Sequence, residues 1–301
     1  MNIFVAGTSG AIGRPLVMEL IRQGHAVTGI SRSAARLEHL ASLGATILAV
    51  DVFDAASVEH ALRDSQAEAV IDELTSLPRT PAEIHNALPG DYKVRIEGGG
   101  NLHRAAKAAG VRRYVQQSSG FFLNAGGGLG TESDSLAVNA GGDIAISARM
   151  YTQIEERLFS TSMPEGVALR YGFFYGPGTW YNPDGATADA VRSGQFPIVG
   201  DGGGVWSFVH VEDAAAATVA ALTAEPGIYN VVDDDPLPVC SWLPAFARWV
   251  NAPPPPHVSK DEAFAAGGSD AVYYGTKVSG ASNEKARRAL DFRPRRLEWL
   301  D

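Results

Sequence analysis

The sequence predicts an α/β protein, a doubly wound parallel sheet with a smaller C-terminal lobe. Two patterns carry this expectation. Short apolar runs alternate with helical patterns through the first 170 residues, the rhythm of parallel strands joined by crossover helices. The first run, Asn2–Ala6, passes through Gly7, Gly10 and Gly13 into a helical pattern. That strand–turn–helix order brings backbone N–H groups to the positive end of a helix.

The elements follow in order. Residues 11–22 place Ile12, Leu16, Leu20 and Ile21 on one helical face. A strand is expected at 26–30, a helix at 33–43, and further strands at 46–50, 69–71 and 114–117. The helix expected at 93–109 contains Gly98, Gly99 and Gly100. Three glycines weaken a helix, so they point either to a break or to a close approach by something else. Residues 121–142 are Gly-rich and read as a long loop. A helix at 143–160 and a strand at 167–171 come next, closed by Gly176-Pro177-Gly178. A short strand at 207–210 and an Ala-rich helix at 211–222 follow. The run from Pro253 to Pro256 is a stiff extended linker. The expected division is a dinucleotide-type domain over 1–170, with 206–224 returning to it. The smaller lobe, where substrate is expected, takes 171–205 and 225–301.

Composition narrows the function. With 25 basic and 34 acidic side chains the net charge is −9, which disfavours binding to a phosphate backbone. Cys240 is the one cysteine, which excludes an internal disulfide and a cysteine-built metal site. The seven histidines show no metal-ligand spacing, so no metal is expected. No secretory signal pattern and no 18-residue apolar run appear. A cytoplasmic protein acting on a small molecule, with neither nucleic acid nor membrane as partner, is the expectation.

The glycine turn is the first candidate site. Gly7, Ser9, Gly10, Ala11, Ile12 and Gly13 are placed to cradle the pyrophosphate of a dinucleotide. The end of the second strand selects the nucleotide. An acidic residue there would hold the ribose hydroxyls of NADH, but Ser31, Arg32 and Ser33 stand in its place. Arg32 offers a charged fork to a 2′-phosphate, with Arg14 close by in sequence. NADPH is therefore favoured, and use of NADH stays open.

Further segments carry a likeness. The Gly-x-x-Gly-x-x-Gly spacing, Asp51-Val52 after the third strand, Asn101-Leu102, Ser118-Ser119, and the segments 169–178, 208–214 and 282–286 resemble the extended branch of the short-chain dehydrogenase/reductase superfamily over nearly the whole chain. The resemblance implies a Rossmann-like fold and a nicotinamide cofactor. It places adenine near Asp51 and Val52, cofactor contacts at Leu74, Thr75 and Ser118, and a catalytic hydroxyl at Ser119.

One part of the family pattern is absent. Family members pair a catalytic Tyr with a Lys four residues later; the Lys lowers the phenol's pKa and the Tyr moves the proton. No Tyr-x-x-x-Lys exists in this chain. Tyr151 is the candidate acid, with Glu155 four residues later, and a neighbouring carboxylate would disfavour the phenolate. An alternative register, set by Glu156-Arg157-Leu158, puts Ala148 and Thr152 at the Tyr and Lys positions, and either way the lysine is absent. Water or a substrate hydroxyl could supply the proton instead. Tyr171, Tyr175 and His210 are other candidates, and Trp180, Tyr181 and Trp206 form either substrate walls or lobe core.

The resulting expectation is an atypical NAD(P)H-dependent ketoreductase. The chain is similar to family reductases that tailor aromatic polyketides such as the simocyclinone-type angucyclinones, which implies a polycyclic ketone and a role in antibiotic biosynthesis. The alternatives are a sugar-nucleotide epimerase or dehydratase, and a non-catalytic NAD(P)-sensing regulator.

Overall fold

A computed structural model describes residues 1–32 and 38–300. The chain runs β1 (Asn2–Ala6), α1 (Gly13–Arg22), β2 (Ala26–Ser31), α2 (Glu38–Ser42), β3 (Thr46–Ala49), α3 (Ala55–Asp64), β4 (Ala69–Asp72) and α4 (Ile84–Lys93). A π-helical turn (Val94–Gly98) joins α4 to α5 (Gly99–Ala108), followed by β5 (Arg113–Ser119), α6 (Gly142–Phe159), β6 (Glu165–Tyr171) and β7 (Phe173–Tyr175). The remainder is α7 (Ala186–Arg192), β8 (Ile198–Val199), β9 (Val205–Trp206), β10 (Phe208–His210), α8 (Val211–Ala220), β11 (Gly227–Val231), β12 (Leu237–Pro238), α9 (Val239–Trp249), β13 (His257–Val258), α10 (Lys260–Thr276) and α11 (Glu284–Ala289).

Seven strands form one sheet in the order β11-β6-β5-β4-β1-β2-β3, every neighbouring pair parallel. This is the predicted Rossmann-like sheet. Strands buried on both faces must be apolar throughout, and β1 is: Ile3, Phe4, Val5 and Ala6 are all buried. Ile3, Val5, Leu16 and Leu20 pack with Ala214 and Ala217 of α8 on one face. Phe4, Val70, Leu102, Ala106 and Leu158 fill the other.

One expectation is corrected, one lies partly outside the described residues, and one pair of alternatives is decided. The smaller lobe does not begin at 225, because Gly227–Val231 is the sheet's edge strand, paired with β6 from Gly227↔Val167 to Val231↔Tyr171. Its polar Asn230 obscured this in the sequence; that residue is buried and its amide donates to the carbonyls of Gly130 and Ser282. The helix expected over 33–43 is described only from Glu38, so Ser33 lies outside the described residues. Gly98 to Gly100 cause no break: the chain continues helically through the π-turn.

The remaining segments pack around an aromatic core of Tyr181, Trp206, Phe208, Trp242 and Phe246. Helix α6 joins the two bodies. Its Leu158 packs under the sheet, while Ala148, Tyr151 and Ile154 belong to the aromatic core.

Candidate active site

The order of the sheet reverses between β1 and β4, the position where doubly wound sheets bind ligands beyond the carboxyl ends of their strands. The glycine turn lies there. Gly7 has φ +90°, and Gly10 N–H donates to the Gly7 carbonyl at 3.0 Å. A β-carbon on Gly7 would sit 2.3 Å from the Glu73 carbonyl oxygen, and one on Gly13 would sit 2.3 Å from that of Gly7. These two glycines are required by the protein's own packing. Gly10 differs, because a β-carbon there would meet within 4 Å only the Gly7 oxygen, at 3.3 Å. Helix α1 starts without a side-chain cap and without an acidic residue in its first turn, while Arg14 is exposed beside it. Uncapped N–H groups facing open space fit the pyrophosphate of a dinucleotide. Ser9 is exposed there and Ile12 buried.

The adenine side is also built. Asp51 is exposed and accepts from Phe53 N–H at 3.0 Å. The Val52 carbonyl accepts from the Asn101 amide at 2.8 Å, and a β-carbon on Gly98 would lie 2.7 Å from Val52 Cγ2. Two of the problematic glycines thus have reasons: Gly98 admits Val52, and Gly99 admits Arg157 and Asp72, each 3.0 Å from where its β-carbon would be. Leu74 and Thr75 are half-buried just beyond β4. Ser31 is half-buried and Arg32 exposed at the end of β2.

At the end of β5 the two serines part. Ser118, expected beside the cofactor, donates to Glu155 Oε1 at 2.6 Å. Ser119 is 1% exposed and its hydroxyl has no partner among the described residues. A buried hydroxyl left without a partner is unfavourable, and a ligand's polar atom would complete it.

Glu155 does not act on Tyr151. Its carboxylate is held by Arg170, Nε to Oε1 at 2.8 Å and Nη2 to Oε2 at 2.7 Å, with both side chains buried. The Arg170 Nη1 reaches the carbonyls of Glu132 and Asp134 at 3.5 and 3.3 Å. Glu155, through Arg170, therefore anchors the Gly-rich loop. Burial pushes the Tyr151 phenol up to about 12, and the charge of Arg95 opposes the rise. The expected direction holds, but the expected cause does not.

Arg95 was not singled out by the sequence. It is buried on the π-turn, donates to Asp91 Oδ2 at 2.8 Å, and lies 5.1 Å from the centre of the Tyr151 ring. Its only sequence signal is Asp91 four residues earlier, an i,i+4 charge pair that is usually a solvated one.

Tyr171 and Glu73 form a closed set of contacts. Thr218 Oγ1 donates to the Ala214 carbonyl at 2.7 Å and lies 2.6 Å from Tyr171 Oη, which donates to Glu73 Oε1 at 3.0 Å. Burial, with 1% exposure, pushes Glu73 up to about 8; the Tyr171 hydrogen bond and Arg95 oppose the rise and Asp72 adds to it. Near neutral pH Glu73 is therefore mostly the neutral acid. Tyr171 is thus a buried tyrosine facing α8 rather than substrate. Tyr175 is buried too, donating to the Arg296 carbonyl at 3.3 Å. His210 caps α8 by accepting from Glu212 N–H at 3.2 Å.

A series of aromatic rings begins beside Tyr151. Phe122 lies 5.8 Å from Tyr151. Phe121 stacks on Phe173 at 4.3 Å and Phe173 on Trp206 at 4.1 Å. Tyr181 and Trp206 are lobe core, whereas Phe121, Phe173 and Trp180 are half-buried. Among the described residues no cluster of His, Cys, Asp or Glu could hold a metal, and no helix is long and apolar enough to cross a membrane.

The family profile described as NAD dependent epimerase/dehydratase matches residues 3–231. The chain is 37% identical to a 3-diazoavenalumate denitrifying reductase of Streptomyces sp, covering 100% of this chain and 98% of that one. It is 25% identical to a 4-hydroxy-2-methyl-3-oxo-4-farnesyl-3,4-dihydroquinoline-1-oxide ketoreductase of Stigmatella aurantiaca, over 81% of this chain and 71% of the other. Its fold matches a UDP-glucose 4-epimerase from Stenotrophomonas maltophila with TM-score 0.75 and 21% identity, covering 99% and 94% of the two chains. With its parallel sheet, open glycine turn and partnerless Ser119, the chain belongs to the NAD dependent epimerase/dehydratase family and is an NAD(P)-dependent oxidoreductase.

Proposed function

We propose that the chain is an NAD(P)H-dependent reductase of an aromatic small molecule, most simply a polycyclic ketone. Gly7 to Gly13 would hold the pyrophosphate, Asp51 and Val52 the adenine side, and Ser31 with Arg32 the 2′-phosphate of NADPH. Leu74 and Thr75 would line the bound cofactor. A bound nicotinamide supplies the hydride. The chain's own part is to place the substrate oxygen against Ser119 Oγ and to hold a proton at Tyr151 Oη. The half-buried Phe121 and Phe173 offer a flat wall for a planar substrate. The observation that carries this reading is the buried, partnerless Ser119 hydroxyl at the carboxyl end of β5. The full-length likeness to a reductase favours net reduction over epimerisation, as does the missing lysine.

A second reading comes from that same relative, whose name gives a diazo substrate. Hydride addition to an aryl diazonium carbon with loss of N2 balances without a proton donor. The two readings separate on Tyr151. NADPH consumption is measured with polycyclic ketones and with aryl diazonium salts, for the parent and for Tyr151→Phe. Loss of the phenol should lower ketone reduction by about 10²–10⁴ and leave diazonium reduction within about tenfold. No consumption with either class would refute the reductase reading and return the non-catalytic sensor.

A further inference from the structure

We propose that Arg95 is the positioning residue that serves the Tyr151 phenol in place of the family's lysine, approaching from the π-turn instead of from α6. The inference rests on the reading of Tyr151 as an acid, but its test does not depend on turnover. A cation 5.1 Å from the ring centre, shielded from water, favours the phenolate as a lysine would.

The placement is fixed from several sides. Asp91 Oδ2 accepts from Arg95 Nε at 2.8 Å, and Asp91 Oδ1 accepts from Ser76 N–H at 2.6 Å. Gln117 Oε1 accepts from Arg95 Nη1 at 3.4 Å. A π-turn alters the helical bonding and frees carbonyls. Here Arg157 of α6 meets them: its Nη1 donates to Arg95 O at 3.3 Å and to Ile96 O at 3.1 Å. Tyr151 and Arg157 share one helix, so the contact that holds the π-turn also ties Arg95 to the element that carries the phenol. The turn lets Arg95 face Tyr151 while Gly98 and Gly99, three and four residues on, face Val52 and Asp72. The charged and titratable groups around the pair are Asp91, Asp72, Glu73, Arg157 and Tyr274. With Glu73 neutral, two carboxylates balance two guanidinium groups.

The test places a difluorotyrosine, a more acidic phenol, at position 151 and follows its ionisation by fluorine NMR in the cofactor-free protein. In Arg95→Met the midpoint should rise by about one pH unit or more, a tenfold change in the ionisation constant. Arg95→Lys should restore at least half of that rise. A folded Arg95→Met protein whose midpoint stays where it was overturns the proposal. Should Arg95→Met not fold, Asp91→Asn decides. Removing the carboxylate leaves the cation uncompensated, so the midpoint should fall; a midpoint that rises or does not move overturns the proposal. If the phenol responds as expected but Tyr151→Phe reduces ketones normally, the pairing stands and the acid role of Tyr151 fails.

Discussion

Replacing Glu73 by Gln should stabilise the protein at neutral pH. The carboxyl is neutral in the fold, held up to about 8 from an ordinary value of 4.5. Between those two pH values the folded chain binds a proton that the unfolded chain has released. A raised folded-state value means stability that is fully present below pH 4.5 and is lost as pH rises toward about 8. At pH 7 the gap from 4.5 corresponds to about 3 kcal/mol. Glutamine is neutral at every pH, and its amide oxygen can accept from Tyr171 Oη as the acid's oxygen does. Urea denaturation of both proteins across this range reads the difference, with contributions common to both cancelling. The two should be equally stable near pH 4.5, and Glu73→Gln should gain about 1.4 kcal/mol per pH unit above it. An ionised Glu73 accepting from Tyr171 predicts the reverse, because the variant would lose a hydrogen bond to a charge. A flat difference, or a variant less stable at pH 8, refutes a neutral Glu73.

Three further outcomes are expected. Gly13→Ala should lower stability by about 1–3 kcal/mol through overpacking, whereas Gly10→Val should melt normally and lose dinucleotide binding by calorimetry. Arg32→Ala should weaken NADPH by about 1.5–3 kcal/mol and leave NADH unchanged; equal losses would remove Arg32 from the 2′-phosphate. Arg170→Met strands Glu155 in the interior and should destabilise by about 3–5 kcal/mol. Faster hydrogen exchange at residues 130–135 should accompany that loss, and the double variant with Glu155→Leu should recover much of the stability.

The alternation of apolar runs made the sheet and the glycine turn legible, because parallel strands and their crossover helices are local patterns. β11 was less so: Gly227, Tyr229 and Asn230 interrupt the apolar run, and Asn230 is buried only because the loop from 121 to 142 and the segment before α11 supply its partners. The site was legible where it is made of backbone, at Gly7 to Gly13, and where a motif ends a strand, at Ser119. It was not legible where partners are distant in sequence. Arg95 and Tyr151 stand 56 positions apart, and nothing near either one announces the other. Glu155 misled for the same reason: its neighbour along the helix is Tyr151, but its partner is Arg170 on β6.

That partnership constrains how this chain can change. Glu155→Lys would set an ammonium against the Arg170 guanidinium, where two nitrogens now meet a carboxylate at 2.8 and 2.7 Å. The hydroxyl of Ser118 would lose its acceptor in the same step, and the support that Arg170 gives the loop at Glu132 and Asp134 would go with it. One buried carboxylate thus serves a helix, a strand and a loop at once, and position 155 cannot be exchanged without loss at all three.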